Sequence, residues 1–150
     1  GSGARELVPH SIVDNGLRWH LRAYDRKSKL FRDFVLTRIT KVTIQAQTPS
    51  PEEDKLEDHQ WMRMVPLQII PHPNNVKHPT AIKLDFGMEK GMLEVNVRAA
   101  MAGYLLRRWN VDCSESASLS GPEYQLYLQN IQTLYGAENL AIAPGYQLEK

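Results

Sequence analysis

The 150 residues are 42% hydrophobic and 23% charged, which suits one ordinary domain or two small ones and argues against a disordered or fibrous chain. No apolar run approaches the roughly 20 residues that cross a bilayer, no signal-peptide pattern opens the chain, and the single Cys113 excludes a disulfide framework and a cysteine-based metal site, so a reducing cytoplasm is expected. The net charge of +1 conceals an asymmetry: residues 1–42 carry nine Lys/Arg against four acids, a local +5, and the remaining nine basic and thirteen acidic residues give −4.

Residues 5–13 predict a first strand, with Pro9, which has no backbone donor, at an edge or bulge. Asp14-Asn15-Gly16 is a hairpin turn signal. Over residues 17–24 strict alternation separates Leu17, Trp19, Leu21 and Ala23 from Arg18, His20, Arg22 and Tyr24, the pattern of a half-buried strand. A polar turn over 25–29 leads to a further strand in which Arg32, Phe34, Leu36 and Arg38 share a face. Residues 39–45 read as another strand, with Thr40, Val42 and Ile44 on one side. Short, closely spaced strands without a helix between them predict a small barrel or strongly bent sheet.

Residues 47–58 break the rhythm with Pro49, Pro51 and a run of acids. Ser50-Pro51-Glu52-Glu53 has the order of a capped helix start. The acid run itself (Glu52, Glu53, Asp54, Glu57, Asp58) reads as a solvated linker. The expected organisation is a β unit over 4–46, with residues up to 58 available to complete it, a linker over 47–60, and an α+β unit over 61–150. In the latter, Trp61, Val65, Leu67 and Ile69, with Arg63 between, and Met62, Met64 and Ile70 on the other face predict a strand inside a sheet, although Pro66 argues for one free edge. A helix is expected over about 77–85, a strand over 92–97 and the clearest helix over 98–109, where Met101, Tyr104, Leu105 and Trp109 recur at helical spacing. Residues 124–128 and 140–143 are short strand candidates.

Catalytic signatures are missing. There is no phosphate-binding glycine loop, no dinucleotide fingerprint and no His-Glu-x-x-His. Asp85-Phe86-Gly87 has no companion kinase element, and His72 and His78 read as surface histidines. Neither catalysis nor a metal or cofactor is expected. The functional signal is the basic, partly aromatic hairpin. Arg22, Arg32 and Arg38 offer rigid donor forks suited to phosphate or carboxylate, and Tyr24, Phe34 and His20 are placed to stack a base or sugar. Charge-assisted contacts of roughly 1.5–3 kcal/mol each bring about micromolar affinity within reach. The competing reading pairs these arginines with Asp25, Asp33 or the acids of the second unit.

Trp19-His20-Leu21-Arg22-Ala-Tyr-Asp followed by Phe31-Arg-Asp-Phe-Val-Leu-Thr-Arg-Ile resembles the WYL domain of bacterial transcriptional regulators. Upstream, Pro9-His-Ser-Ile-Val fits as well. Pro71-His-Pro, Asp85-Phe-Gly-Met and Leu140-Ala-Ile-Ala-Pro-Gly-Tyr are similar to the C-terminal extension that follows such domains, in the subgroup encoded beside phage-defence operons of the BREX and related types. The family's central tyrosine is His20 here, a group that titrates near neutral pH.

The resemblance implies an Sm-like or SH3-like small barrel that senses a nucleotide or oligonucleotide effector, followed by an extension that forms a homodimer. It implies DNA binding only through a winged helix-turn-helix outside these residues. The ligand-binding residues it suggests are Ser11, His20, Arg22, Tyr24, Arg32, Phe34 and Arg38. Two other functions stay open on the sequence: a module that docks on the DNA-binding domain, and an Sm-like binder of single-stranded nucleic acid.

Overall fold

The structure is a computed structural model and describes residues 3–148. The chain divides into two compact units, residues 1–59 and 60–150, and each has its own β-sheet.

In the first unit β1 (Leu7–Asp14), β2 (Trp19–Asp25) and β3 (Leu30–Val35) form an antiparallel sheet in the order β1-β2-β3. Pro9 stands where expected, beside a bulge at which the β1–β2 register shifts between Pro9 and Ser11. A bulge sets two residues against one and so accommodates a residue that cannot donate to the ladder. The first loop closes through Asn15, whose Oδ1 accepts from the backbone N–H groups of Leu17 and Arg18 at 2.9 and 3.0 Å. The second closes with Lys29 in the left-handed region, φ 59°.

The strand expected over residues 39–45 does not form. That stretch is exposed and irregular, and among the described residues the sheet stays open instead of closing into a barrel. Val42 and Ile44 are the reason: alternation predicts a strand only if one face finds a surface to cover, and both side chains remain in solvent. Ser50 does start a structured turn. Pro51–Glu53 is one turn of 3₁₀ helix closed by a capping box between Ser50 and Glu53, and Lys55–Glu57 is a second.

The second unit places β4 (Met64–Pro71) inside a sheet of order β5-β4-β7-β6, completed by β5 (Leu93–Arg98), β6 (Val111–Asp112) and β7 (Leu126–Leu128). Helix α1 (His59–Met62) takes Trp61 out of the strand that the alternation suggested, while α2 (Pro79–Asp85) and α3 (Ala99–Arg108) form as expected. Val65, Leu67 and Ile69 are fully buried and meet Leu106, Val111, Leu128 and Leu134 in one apolar core. Pro66 lies beyond the C-terminal end of β7, which pairs with β4 over Ile69–Pro71. There the Asn130 side chain acts as a strand, accepting from Gln68 N at 2.9 Å and donating to Pro66 O at 2.8 Å.

Helix α3 turns a small-residue face inward, Ala99, Ala100, Ala102, Gly103 and Leu106; of the expected stripe Leu105 packs against the core, while Met101, Tyr104 and Trp109 are not among the buried residues. A Cβ at Gly103 would stand 2.3 Å from the Asn139 carbonyl oxygen, so only close approach of the backbone satisfies this packing. Residues 140–143, expected as a strand, instead include a 3₁₀ turn at Leu140–Ile142.

Candidate functional site

Alternation along β2 and the register of its neighbours decide which side chains meet. Ser11, Arg22 and Asp33 stand opposite one another across the sheet, as do Val13, His20 and Val35, and Val8, Tyr24 and Phe31. Directly paired residues share a face, so Ser11, His20, Arg22 and Tyr24 lie together, joined by Asp33. The bulge adds His10, whose ring lies 5.9 Å from that of Phe31. Tyr24 and Phe31 form an edge-on pair with centroids 5.1 Å apart.

At the centre is Arg22, 1% exposed. Its Nε and Nη2 donate to Oδ2 and Oδ1 of Asp58 at 2.8 and 2.9 Å, a two-point grip, and Nη1 donates to Asp33 Oδ1 at 3.1 Å. His10 lies within 2.9 Å of both Ser11 Oγ, through Nδ1, and Asp58 Oδ2, through Nε2. The carboxylate only accepts, so His10 Nε2 carries a proton and donates to Asp58. The same reasoning applies to His20. Asn15 Nδ2 donates to its Nδ1 at 3.2 Å, which leaves Nε2–H facing Asp33 Oδ1 at 3.4 Å. Burial lowers the His20 pKa and Arg22 adds to this, against the opposing pull of Asp33, so the ring is neutral at pH 7.

Arg32 and Phe34 are elsewhere. They pair with Ala23 and Leu21, on the other face of the sheet. Asp25 pairs with Leu30, closing a loop whose length sets Arg22 opposite Asp33, and a change of one residue in that loop would have swapped the faces. Arg32 is 51% exposed and 3.9 Å from Asp25. Asp25 is itself held by Arg5 at 2.8 Å and by Ser28 Oγ at 3.0 Å. Burial works to raise the Asp25 pKa, but the hydrogen bonds from Ser28 and Lys27 and the two guanidiniums bring it below the ordinary value. Arg38 ends the exposed turn Leu36–Arg38. The three arginines therefore do not converge: Arg22 and Arg32 occupy opposite faces.

The acid run is a solvated linker only in part: Glu52, Asp54 and Glu57 are exposed. Glu53 and Asp58 are buried and are the partners of the basic hairpin. Arg26 grips Glu53 as Arg22 grips Asp58, with Nε to Oε2 at 2.7 Å and Nη2 to Oε1 at 3.0 Å. That pair, with the Ser50 backbone N–H, holds the Glu53 carboxyl down at about 2. Sequence reasoning missed Glu53, Asp58 and His10. The charge asymmetry was the available signal, because a basic segment followed at once by an acidic one neutralises itself most cheaply within the chain.

In the second unit His72 is buried, not on the surface. Its Nδ1 accepts from the backbone of Asn74 and Asn75 at 3.1 and 3.2 Å, and its Nε2 donates to Asp112 Oδ2 at 2.8 Å. Ser114 Oγ donates to Asp112 Oδ1 at 2.7 Å rather than approaching the histidine, so no nucleophile is activated here. Burial pushes the Cys113 thiol up to about 12, with Asp112 adding to the effect, so it stays protonated and unreactive at neutral pH. Among the described residues, no group of three or more His, Cys, Asp or Glu side chains is arranged to hold a metal ion.

Known proteins similar to this one point the same way along its length. Residues 1–44 match the WYL domain, and residues 64–134 match the family described as BrxR transcriptional regulator, C-terminal dimerization domain. A "DNA-binding transcriptional repressor CapW" from Pseudomonas aeruginosa is 40% identical over 130 residues, covering 85% of this chain and 42% of the relative. A protein of the same description from Escherichia coli (strain KTE188) is 36% identical over 134 residues, 87% of this chain and 43% of the relative. Another, from Stenotrophomonas maltophilia, is 33% identical over 107 residues, 71% and 35% respectively. The chain thus spans less than half the length of the curated relatives it matches.

Proposed function

This chain belongs to the WYL-domain transcriptional regulators of phage-defence systems that carry a BrxR-type C-terminal dimerization domain, and on that premise we propose that it is the effector-responsive and self-associating region of a repressor. The N-terminal unit takes a nucleotide or short oligonucleotide through its phosphate, and the C-terminal unit joins two copies. DNA contact falls to a part of the protein outside these residues. Such a protein regulates transcription and is not an enzyme.

One observation supports the ligand role: the two-point grip of Arg22 on a pair of oxygens, in the same buried cluster as Ser11 and His20. A guanidinium fork selects planar or tetrahedral anions that present two oxygens at once. Ser11 and His20 supply further polar contacts there, and Tyr24 supplies a ring. Arg32, Phe34 and Arg38, expected in the same set, are not in this cluster and take no part in the proposed contact.

Calorimetry on the whole chain with cyclic nucleotides and short oligonucleotides tests the reading. Binding is expected at about micromolar level, weakening as salt is raised, and Arg22→Lys, which keeps the charge and loses the fork, is expected to weaken it at least tenfold. Absence of binding to every one of these compounds would falsify the ligand role. Sedimentation at micromolar concentration tests self-association, with a monomer as the defeating result.

A second reading has its own support on the opposite face of the same sheet. There Ile12, Leu21 and Phe34 stand in one row across the strands, with Ile12 62% and neighbouring Trp19 55% exposed. A partly exposed apolar row of this kind fits a docking module that leans on another domain of the protein.

A further inference from the structure

The Arg22 fork is occupied. Nε and Nη2 both point to Asp58 and Nη1 to Asp33, and the side chain is sealed from solvent. No external anion reaches those donors unless one carboxylate leaves. The two carboxylates differ in how they are held. Asp33 belongs to β3 and is fixed by the sheet. Asp58 closes the segment from Ser50, whose two 3₁₀ turns make their backbone hydrogen bonds within the segment, Glu53 N to Ser50 O, Asp54 N to Pro51 O, Glu57 N to Asp54 O and Asp58 N to Lys55 O.

Within Pro51–Asp58 the buried side chains are Glu53 and Asp58, and the one large apolar residue, Leu56, is 67% exposed. Hydrophobic contact therefore does little to fasten this strap to the sheet. Two clasped carboxylates fasten it, Glu53 held by Arg26 and Asp58 by Arg22, with a further bond from His10 to Asp58 that must break when Asp58 leaves. The second clasp lies one residue before the end of the unit; His59 closes it and Gln60 begins the next.

From this we infer that Asp58 is an internal stand-in for the effector's phosphate: an incoming phosphoanion displaces it from Arg22, and its release frees the end of the strap that continues into the C-terminal unit. A carboxylate and a phosphate present the same pair of oxygens to a guanidinium, so the exchange replaces one anion by another and leaves no buried cation unpaired. Glu53 stays clasped by Arg26, which makes it the pivot and residues 55–59 the moving part. The inference rests on the anion site proposed above and adds to it the manner in which occupancy is signalled.

The test titrates inorganic pyrophosphate and a 5′-phosphorylated thymidine dinucleotide into the whole chain, the wild type beside Asp58→Asn. Glu57→Gln serves as a control that removes the same charge from an exposed side chain. Asp58→Asn is expected to bind at least tenfold more tightly than wild type, and Glu57→Gln to differ from it by less than twofold. In the wild type, saturation with the tighter probe is expected to speed amide hydrogen exchange at residues 55–59 by at least tenfold, with Glu53 and Asp54 little changed.

If wild type binds and Asp58→Asn binds no better, the displacement is wrong while the anion site stands. If neither protein binds either probe, the anion site goes and the displacement with it. Should Asp58→Asn fail to fold, the exchange rates of the wild type decide: unchanged protection at 55–59 on saturation overturns the inference.

Discussion

In the C-terminal unit the side chains wholly withdrawn from water are mostly apolar, among them Val65, Leu67, Ile69, Leu106, Val111, Leu128 and Leu134, with the His72–Asp112 pair as a polar exception, whereas in the N-terminal unit His20, Arg22, Asp25 and Asp58 are withdrawn beside Ala23. These interiors answer to different forces. Burying a leucine or isoleucine contributes about 1.5–3 kcal/mol each, and that gain is nearly indifferent to pH and salt. A buried arginine–carboxylate cluster loses most of its Coulomb gain to desolvation. Its members are tightly matched to one another, yet any of them can be replaced by another ion of the same sign. The first kind of interior suits a fixed platform, and the second suits a part meant to respond to a charged ligand.

The contrast is open to attack by mutation, and the largest effect is expected at Arg22. Arg22→Ala leaves Asp58 and Asp33 buried without their cation and is expected to cost about 3–5 kcal/mol, read by denaturant unfolding with amide signals of β2 as reporter. A loss under 1 kcal/mol would mean that the polar cluster is no core at all. Leu67→Ala is its apolar counterpart, expected to cost about 2–5 kcal/mol. Its loss should be the same at high and low salt, and a salt-dependent loss would dissolve the distinction between the units.

A smaller, pH-dependent effect is expected at Glu53. Its carboxyl titrates near 2 in the fold against 4.5 ordinarily, so the Arg26 pair stabilises fully above pH 4.5 and its contribution disappears as pH falls toward 2. His20 acts in the same sense higher up: its folded pKa lies below 6.5, so the unfolded chain takes up the proton first and stability declines as pH drops below 6.5. Glu53→Gln is expected to flatten the lower part of the acid-unfolding profile of the N-terminal unit and leave the upper part intact. A profile that retains the wild-type slope below pH 4.5 would remove Arg26–Glu53 as an anchor. Smallest of all is Arg32→Ala, an exposed side chain 3.9 Å from its acid. It is expected to move stability by no more than about 0.5 kcal/mol and to leave phosphate affinity unchanged.

Period and punctuation carried much of this fold. The alternation of residues 17–24, the Pro9 bulge, the Ser50 capping box and the buried Val65-Leu67-Ile69 face were all legible because each is a local choice. What local reading misjudged depended on a distant partner. The alternation at Thr40, Val42 and Ile44 matches that of the real strands, but no surface covers it. Helix α3 buries alanines because Asn139 comes so near Gly103, a fact about a segment more than thirty residues away. At the candidate site, residue types announced an anion-gripping fork at Arg22. The pairing of Asp25 with Leu30, which sends Arg32 to the far side, depends on the shape of one loop. That Asp58 fills the fork follows from a chain reversal that no nearby pattern encodes.

The amide of Asn130 has a consequence for what position 130 tolerates. It offers an acceptor and a donor at strand spacing to Gln68 and Pro66. Aspartate would still accept from Gln68 N–H but would set its second oxygen against the Pro66 carbonyl, serine would fall short, and leucine would leave both backbone groups unmet. Hydrolysis of this one amide, the ordinary ageing reaction of asparagine, would therefore pry at the seam between the long central strand and its short neighbour without touching a single apolar contact.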